Sequence, residues 1–266
     1  MSHWTLNDIP WDRFDPTKVE PSILRLAKAA SLVEQNGADY TRYLCNVFAD
    51  DAEFKDAAQI WGGEEVQHGA ALGRWSTLAD PSFDHAAACA RFSDGFRVDF
   101  DAERSIRGSR AGELVARCIV ETGTSSYYTA LAEMTQEPVL REICHRIAAD
   151  ELRHYKLFYT YMNRYLARER LGRWRRLRVA LERIRESEDD ELSYAYFVAN
   201  TAAGAAYDRR RASREYLAAA ARVYRPHHVE RVVAMTFKAV GLKPHGRLNL
   251  LTANIAWRAL RRRAAA

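Results

Sequence analysis

Glycine and proline are scarce in this chain, at 13 and 7 of 266 residues. Long stretches lack both, which argues against an all-β chain with turns at short intervals. Cysteine is scarce too. Cys45, Cys89, Cys118 and Cys144 lie far apart and form no CxxC pair, so a zinc ribbon or a rubredoxin-like centre is excluded. They read as reduced core residues of a cytoplasmic protein. No run reaches the ~18 apolar residues of a membrane-spanning helix. The opening Met1-Ser-His-Trp4 has neither the basic start nor the apolar stretch of a secretory signal.

What is present points to helices. Hydrophobic residues at 48% and charged residues at 28% fit a globular chain rather than a disordered one. Ala, Arg, Leu and Glu dominate, and all favour helix. Residues 1–20 read as irregular. Pro21 suits a helix start, and one long helix is expected from there to about Asp50. A second covers about Glu53–Leu78, a third Ser109–Met134, and a fourth runs from the Glu137-Pro138 step to about Arg170. Between the second and third, Phe83, Phe92, Phe96 and Phe100 suggest a packed, partly helical connection. Beyond Gly172, further helices are expected over about 173–187, 190–223, 227–240 and 246–263. The acidic run Glu186–Glu191 reads as a solvated turn and helix start. The expected architecture is all-α: an irregular segment over 1–20, a four-helix core over 21–170, and accessory helices over 171–266 packed on it as one domain.

The net charge of +5 conceals a division. Residues 1–162 hold 17 Lys+Arg and 25 Asp+Glu, a net of −8, whereas residues 163–266 hold 23 and 10, a net of +13. Arg supplies 34 of the 40 basic residues, so the back half is specifically Arg-rich.

Two glutamates lie where a helix would bury them. Glu121 has Leu114, Cys118, Ser125 and Tyr128 at helical spacing, and Glu34 has Ala27, Ala30, Ala38 and Thr41. A buried carboxylate is costly unless a cation or donors compensate it. Two tetrapeptides supply a reason: Glu65-Val-Gln-His68 and Glu151-Leu-Arg-His154. ExxH spacing puts carboxylate and imidazole on one helix face, one turn apart. A single ExxH is weak. With 19 Glu in 266 residues, chance places one before roughly 7% of histidines. The larger spacing is stronger. Glu34 precedes Glu65 by 31 residues, and Glu121 precedes Glu151 by 30. Each half is thus a helix with one buried Glu, then a helix with ExxH. That is the ligand set of a ferritin-like dimetal-carboxylate bundle. Glu34, Glu65, His68, Glu121, Glu151 and His154 are the expected ligands of two iron ions, with manganese as the alternative.

At this point the sequence resembles the soluble acyl-carrier-protein desaturases. Trp61-Gly-Gly-Glu-Glu-Val-Gln-His-Gly69 is similar to their first metal motif, Trp-x-x-Glu-Glu-x-x-His-Gly. Asp150-Glu-Leu-Arg-His154 is similar to their second, and Glu121-Thr-Gly-Thr124 keeps their Glu-x-x-Thr. The resemblance covers about residues 21–170. It implies an O2-dependent di-iron oxidase that desaturates a carrier-bound acyl chain. It also implies a ferredoxin-like electron donor, an acyl carrier protein as partner, a homodimer and a Thr124 beside the metals. Other members of the superfamily fit less well. There is no CxxC pair as in rubrerythrins, Leu72 stands where a ribonucleotide reductase has its radical Tyr, and Ile147 stands where arylamine oxygenases add a His. A manganese or iron peroxide-scavenging enzyme, a hydroxylase of a modified RNA base, and a metal-binding protein without turnover remain as alternatives.

Metal-bound imidazoles need a partner for their second nitrogen. Glu64 and Asp150, each preceding a ligand Glu, cannot easily reach the His on their own helix and are expected to serve the opposite one. Arg153 would compensate the extra acid. Thr124 suits a hydrogen bond to an oxygen species, or else to its own helix backbone. Trp61, one turn before Glu65, is either on an electron path or core packing. Nine Arg fall between Arg164 and Arg185, with Trp174 among them, and Arg209–Arg211 and Arg261–Arg263 follow. Such a face would attract an acidic carrier protein, RNA or an anionic membrane, or simply be a solvated helix surface.

Overall fold

The computed structural model describes residues 3–96, 101–189 and 191–265. Three 3₁₀ turns, Leu6–Asp8, Trp11–Arg13 and Pro16–Lys18, carry the chain over one end of the molecule. Eleven α-helices follow among the described residues. They are α1 (Pro21–Gln35), α2 (Gly37–Val47), α3 (Ala52–Ala79), α4 (His85–Gly95), α5 (Arg110–Met134), α6 (Pro138–Glu169), α7 (Arg173–Asp189), α8 (Glu191–Asn200), α9 (Arg209–Val223), α10 (Pro226–Val240) and α11 (Arg247–Ala265). No described residue is in a strand. The architecture is all-α: α1 with α2, then α3, α5 and α6, form a four-helix bundle, and α7–α11 pack on it. No described helix is long and apolar enough to cross a membrane.

Local chemistry explains the boundaries. The Asp51, Ser109 and Glu137 side chains accept from backbone N–H groups of the first turns of α3, α5 and α6, which satisfies donors a helix start leaves open. Two expected helices are divided. The one over 21–50 breaks at Asn36, where α1 ends and α2 begins. The backbone of α2 comes so close to α3 there that a Cβ on Gly37 would meet Glu65 Cβ at 2.4 Å, and one on Gly62 would strike Thr41. The expected helix over 190–223 divides into α8 and α9. Gly204 takes φ +84°, and the Asp208 side chain caps α9. Phe83 and Phe92 are buried and Phe96 packs beside them, whereas Phe100 lies outside the described residues, as do the side chains of 187–190 in the acidic run. Glu191 of that run is not solvated. It is buried and accepts a 3.0 Å hydrogen bond from the Tyr40 hydroxyl. The four cysteines are free.

The bundle has two apolar plugs. One contains Leu26 and Leu32 of α1, Leu72 and Trp75 of α3, Tyr128 and Leu131 of α5, and Ile143 and Ile147 of α6. The other contains Leu44 of α2, Phe54 and Trp61 of α3, Leu114 and Cys118 of α5, and Phe158 and Met162 of α6. The segment between the plugs is the same on every helix, and it holds the acidic and histidine side chains.

Candidate metal centre

Six side chains converge between the plugs. Glu34 comes from α1, Glu65 and His68 from α3, Glu121 from α5, and Glu151 and His154 from α6. All six are buried. They form two overlapping groups, Glu34–Glu65–His68–Glu151 and Glu65–Glu121–Glu151–His154, and within each group one ligand atom per residue lies within 4.8 Å of the others. Glu65 and Glu151 belong to both. His68 Nδ1 lies 3.3 Å from Glu151 Oε1 and 3.8 Å from Glu34 Oε2. His154 Nδ1 lies 2.9 Å from Glu65 Oε1 and 3.6 Å from Glu121 Oε2.

The test of fit to metal lies in what these atoms fail to do. Glu65 Oε1, His68 Nδ1, Glu121 Oε1, Glu151 Oε1 and His154 Nδ1 are fully buried and make no well-directed hydrogen bond among the described residues, although His154 Nδ1 approaches Glu65 Oε1 to 2.9 Å. Buried polar atoms are nearly always satisfied. Five such atoms facing one another, all of them good ligand atoms, fit a bound cation, and mixed carboxylate–imidazole donors suit iron or manganese. The cluster could therefore hold metal.

Protonation tells the same story. Burial, then the neighbouring charge of Glu151, pushes Glu121 up to about 8. Burial and the charges of Glu151 and Glu34 push Glu65 well above the usual carboxylate range. Burial also acts to raise Glu151, but the imidazoles of His68 and His154 outweigh it and hold it low. Burial acts to lower both imidazoles, yet the surrounding carboxylates raise them well above the ordinary histidine value. Without a cation, the cluster holds protons where a metal would sit.

The acids beside the ligands lie crosswise. His68 Nε2 is 3.0 Å from Asp150 Oδ2 on α6, and His154 Nε2 is 2.6 Å from Glu64 Oε2 on α3. With Nε2–H donating outward, loss of the second ring proton would leave each Nδ1 lone pair pointing inward. Arg153 joins the two acids, at 2.6 Å from Asp150 Oδ1 and 3.3 Å from Glu64 Oε2. Burial would raise Asp150, but His68, Arg153 and Trp4 hold it well below the usual range, and His154 does the same for Glu64. Thr124 donates to Glu151 Oε2 and also lies 3.2 Å from its own helix carbonyl at Val120, so of the two expected roles the backbone contact is present, and its other partner is a carboxylate of the cluster. Trp61 is buried and meets Phe158 and His154 edge-on, at 5.4 and 6.4 Å between ring centres.

Four contributors escaped sequence reasoning. Trp4, in the segment expected to be irregular, donates from Nε1 to Asp150 Oδ2 at 2.6 Å and stacks on His68 with ring centres 6.0 Å apart. His3 lies 3.3 Å from Glu64, and Gln67 ties the Trp4 carbonyl to α3 at 2.9 Å. No spacing rule links residue 4 to residue 150. Tyr128 donates its hydroxyl to Glu34. That contact had a signal, because Tyr128 is two turns from Glu121 on the same helix face.

A cavity of about 490 Å³ opens from the cluster, a volume ordinary for a small-molecule site. Glu34, Glu65, Glu121, Thr124 and Glu151 border it on the bundle side. Its wall is otherwise mostly apolar and is completed by α7–α11, including Leu192, Leu217, Val229 and Leu260. A polar patch of Tyr40, Arg117 and Glu191 also lines it. The Arg-rich back of the sequence thus contributes no ligand but closes the chamber beside the ligands.

No family model and no curated protein matches the chain. Among solved structures it is similar to the X-ray structure of DesA2 from Mycobacterium tuberculosis H37Rv, described as a candidate acyl-ACP desaturase. The TM-score is 0.49 and the identity 18%, over 95% of this chain and 90% of that one.

Proposed function

We propose that this protein is an O2-dependent dimetal oxidase, with two iron ions as the first choice and manganese as the second, that desaturates an acyl chain. The observation that carries the reading is the set of five buried ligand atoms at the wall of a mostly apolar cavity. Glu34, Glu65, His68, Glu121, Glu151 and His154 would hold the metal, through the two overlapping groups that share Glu65 and Glu151. When bound, the metals supply the O2 chemistry that removes hydrogen from a saturated chain. The reaction balances as –CH2–CH2– plus O2, two electrons and two protons giving –CH=CH– and two waters. The electrons come from a separate donor of the ferredoxin class.

The chain's own residues hold and exclude. Asp150 and Glu64 fix the imidazole orientation, so that Nδ1 faces inward. The cavity binds an apolar chain and keeps bulk water from the centre. Thr124, at the cavity wall, holds its hydroxyl proton on Glu151 Oε2 and so fixes that carboxylate. An acidic carrier protein presenting the chain to the basic surface belongs to the same proposal. The experiment is metal analysis coupled to product analysis, with a reduced ferredoxin-like donor and acyl carrier protein. About two metals per chain and reductant-dependent loss of two hydrogens from the acyl group support the reading. Disproportionation of peroxide without reductant would assign the site to a scavenging enzyme instead.

A further inference from the structure

Helix α11 has an inner face that belongs to the fold and an outer face that does not. Inward, Ala253 is buried, and Ala256, Trp257 and Leu260 pack with Val229, Val233 and Phe237 of α10. Ala256, Ala259 and Leu260 also wall the cavity. Outward, Leu248, Leu251 and Ile255 fall at i, i+3 and i+7, which is one stripe of a helix. They are 57–59% exposed. Arg247, Arg258 and Arg262 share that side by the same periodicity. Three large aliphatics thus lie together along one surface, with arginines at both ends and no acid among them.

Charge decides what can cover this stripe. After Glu230 the sequence contains eight basic residues and no acidic one. A second copy meeting the stripe across a two-fold axis would bring the arginines of two identical helices together, and this helix has no carboxylate to neutralise them. An acidic protein would match the arginines but leave three aliphatics facing carboxylates. An anionic bilayer satisfies both, with phosphates for the guanidinium groups and acyl tails for Leu248, Leu251 and Ile255.

We propose that α11 is an interfacial anchor that seats the protein on an anionic lipid surface. Because the opposite face of the same helix lines the cavity, docking places that chamber about one helix diameter, ~10 Å, from the lipid. Vesicle binding needs neither metal nor turnover, so this proposal stands or falls separately from the enzymatic one.

The test is co-sedimentation of the full, metal-loaded chain with phosphatidylglycerol-containing vesicles and with pure phosphatidylcholine vesicles, in ~0.1 M salt. Binding is expected to the anionic vesicles and at least ten-fold weaker to the neutral ones. The double variant Leu251→Asp/Ile255→Asp should lose at least ten-fold, and Arg258→Glu/Arg262→Glu a comparable amount. Both keep the metal content and helicity of the parent, since the altered side chains face outward. Absence of co-sedimentation overturns the proposal. So does binding that the Leu251/Ile255 variant leaves intact, which would mean non-specific attraction. A dimer that dissociates on the same substitution assigns the stripe to a second copy, and capture by an acidic carrier protein that competes with vesicles assigns it to that protein.

Discussion

The Glu34–His68 half of the centre and the Glu121–His154 half have the same ligand types in different surroundings. In the first, Tyr128 donates to Glu34, Asp150 faces His68, and Trp4 both stacks on that ring and donates to Asp150. In the second, Glu121 Oε1 has no partner among the described residues, Glu64 faces His154, and Trp61 meets that ring only by its edge. The first half therefore has more hydrogen-bond and stacking partners around its carboxylate and imidazole than the second. Pre-organisation lowers the cost of binding, so the Glu34–His68 half should fill first.

The largest effect should come from removing what the halves share. Glu151 belongs to both groups, so Glu151→Ala should drop metal content from about two per chain to near zero. Glu34→Ala and Glu121→Ala should each retain one more readily. Elemental analysis after gel filtration distinguishes them, and equal retention in all three would break the comparison.

The next effect is that of pH. Glu121 titrates at about 8 in the folded, metal-free chain, above the value near 4.3 of an unperturbed Glu. Its proton is held more tightly folded than unfolded, so its contribution stabilises the metal-free chain fully below about pH 4.3 and is lost as pH rises through about 8. His68 and His154, also raised, act in the same sense, while Glu151 opposes them. Metal needs these groups deprotonated. The rise in Tm on adding ferrous or manganous ion should thus be larger at pH 8 than at pH 5.5, and equal rises would contradict the assignment.

Smaller effects sharpen the contrast between halves. Asp150→Asn and Glu64→Gln should each weaken metal binding about 10- to 100-fold, with the first acting on the His68 half and the second on the His154 half. Stepwise titration would show whether one affinity moves or both. Tyr128→Phe removes a hydrogen bond to a charged group, worth about 1.5–3 kcal/mol. It should bring the two affinities closer together without losing either metal.

The comparison also marks what a sequence exposes. The four bundle helices and the six converging side chains were legible, because ligands on helices must recur at i, i+3 and at one helix-plus-turn, as in Glu65–His68 and Glu121–Glu151. The crosswise placement of Glu64 and Asp150 followed from the geometry of one helix, since neither could serve its own neighbour. The unequal surroundings were not legible. Trp4 reaches Asp150 through a tertiary contact that has no period, and the break at Asn36 depends on how closely α2 approaches Gly62. Glu191 looked solvated in an acidic run, but only packing reveals that Tyr40 and the cavity lie beside it.

The most direct test of the dimetal centre is metal stoichiometry in the intact chain after anaerobic reconstitution with ferrous iron, with Glu151→Ala beside it. About two irons per chain in the parent, and close to none in a variant of unchanged helicity, is the expected result. A parent that binds no first-row metal while fully folded would contradict the account.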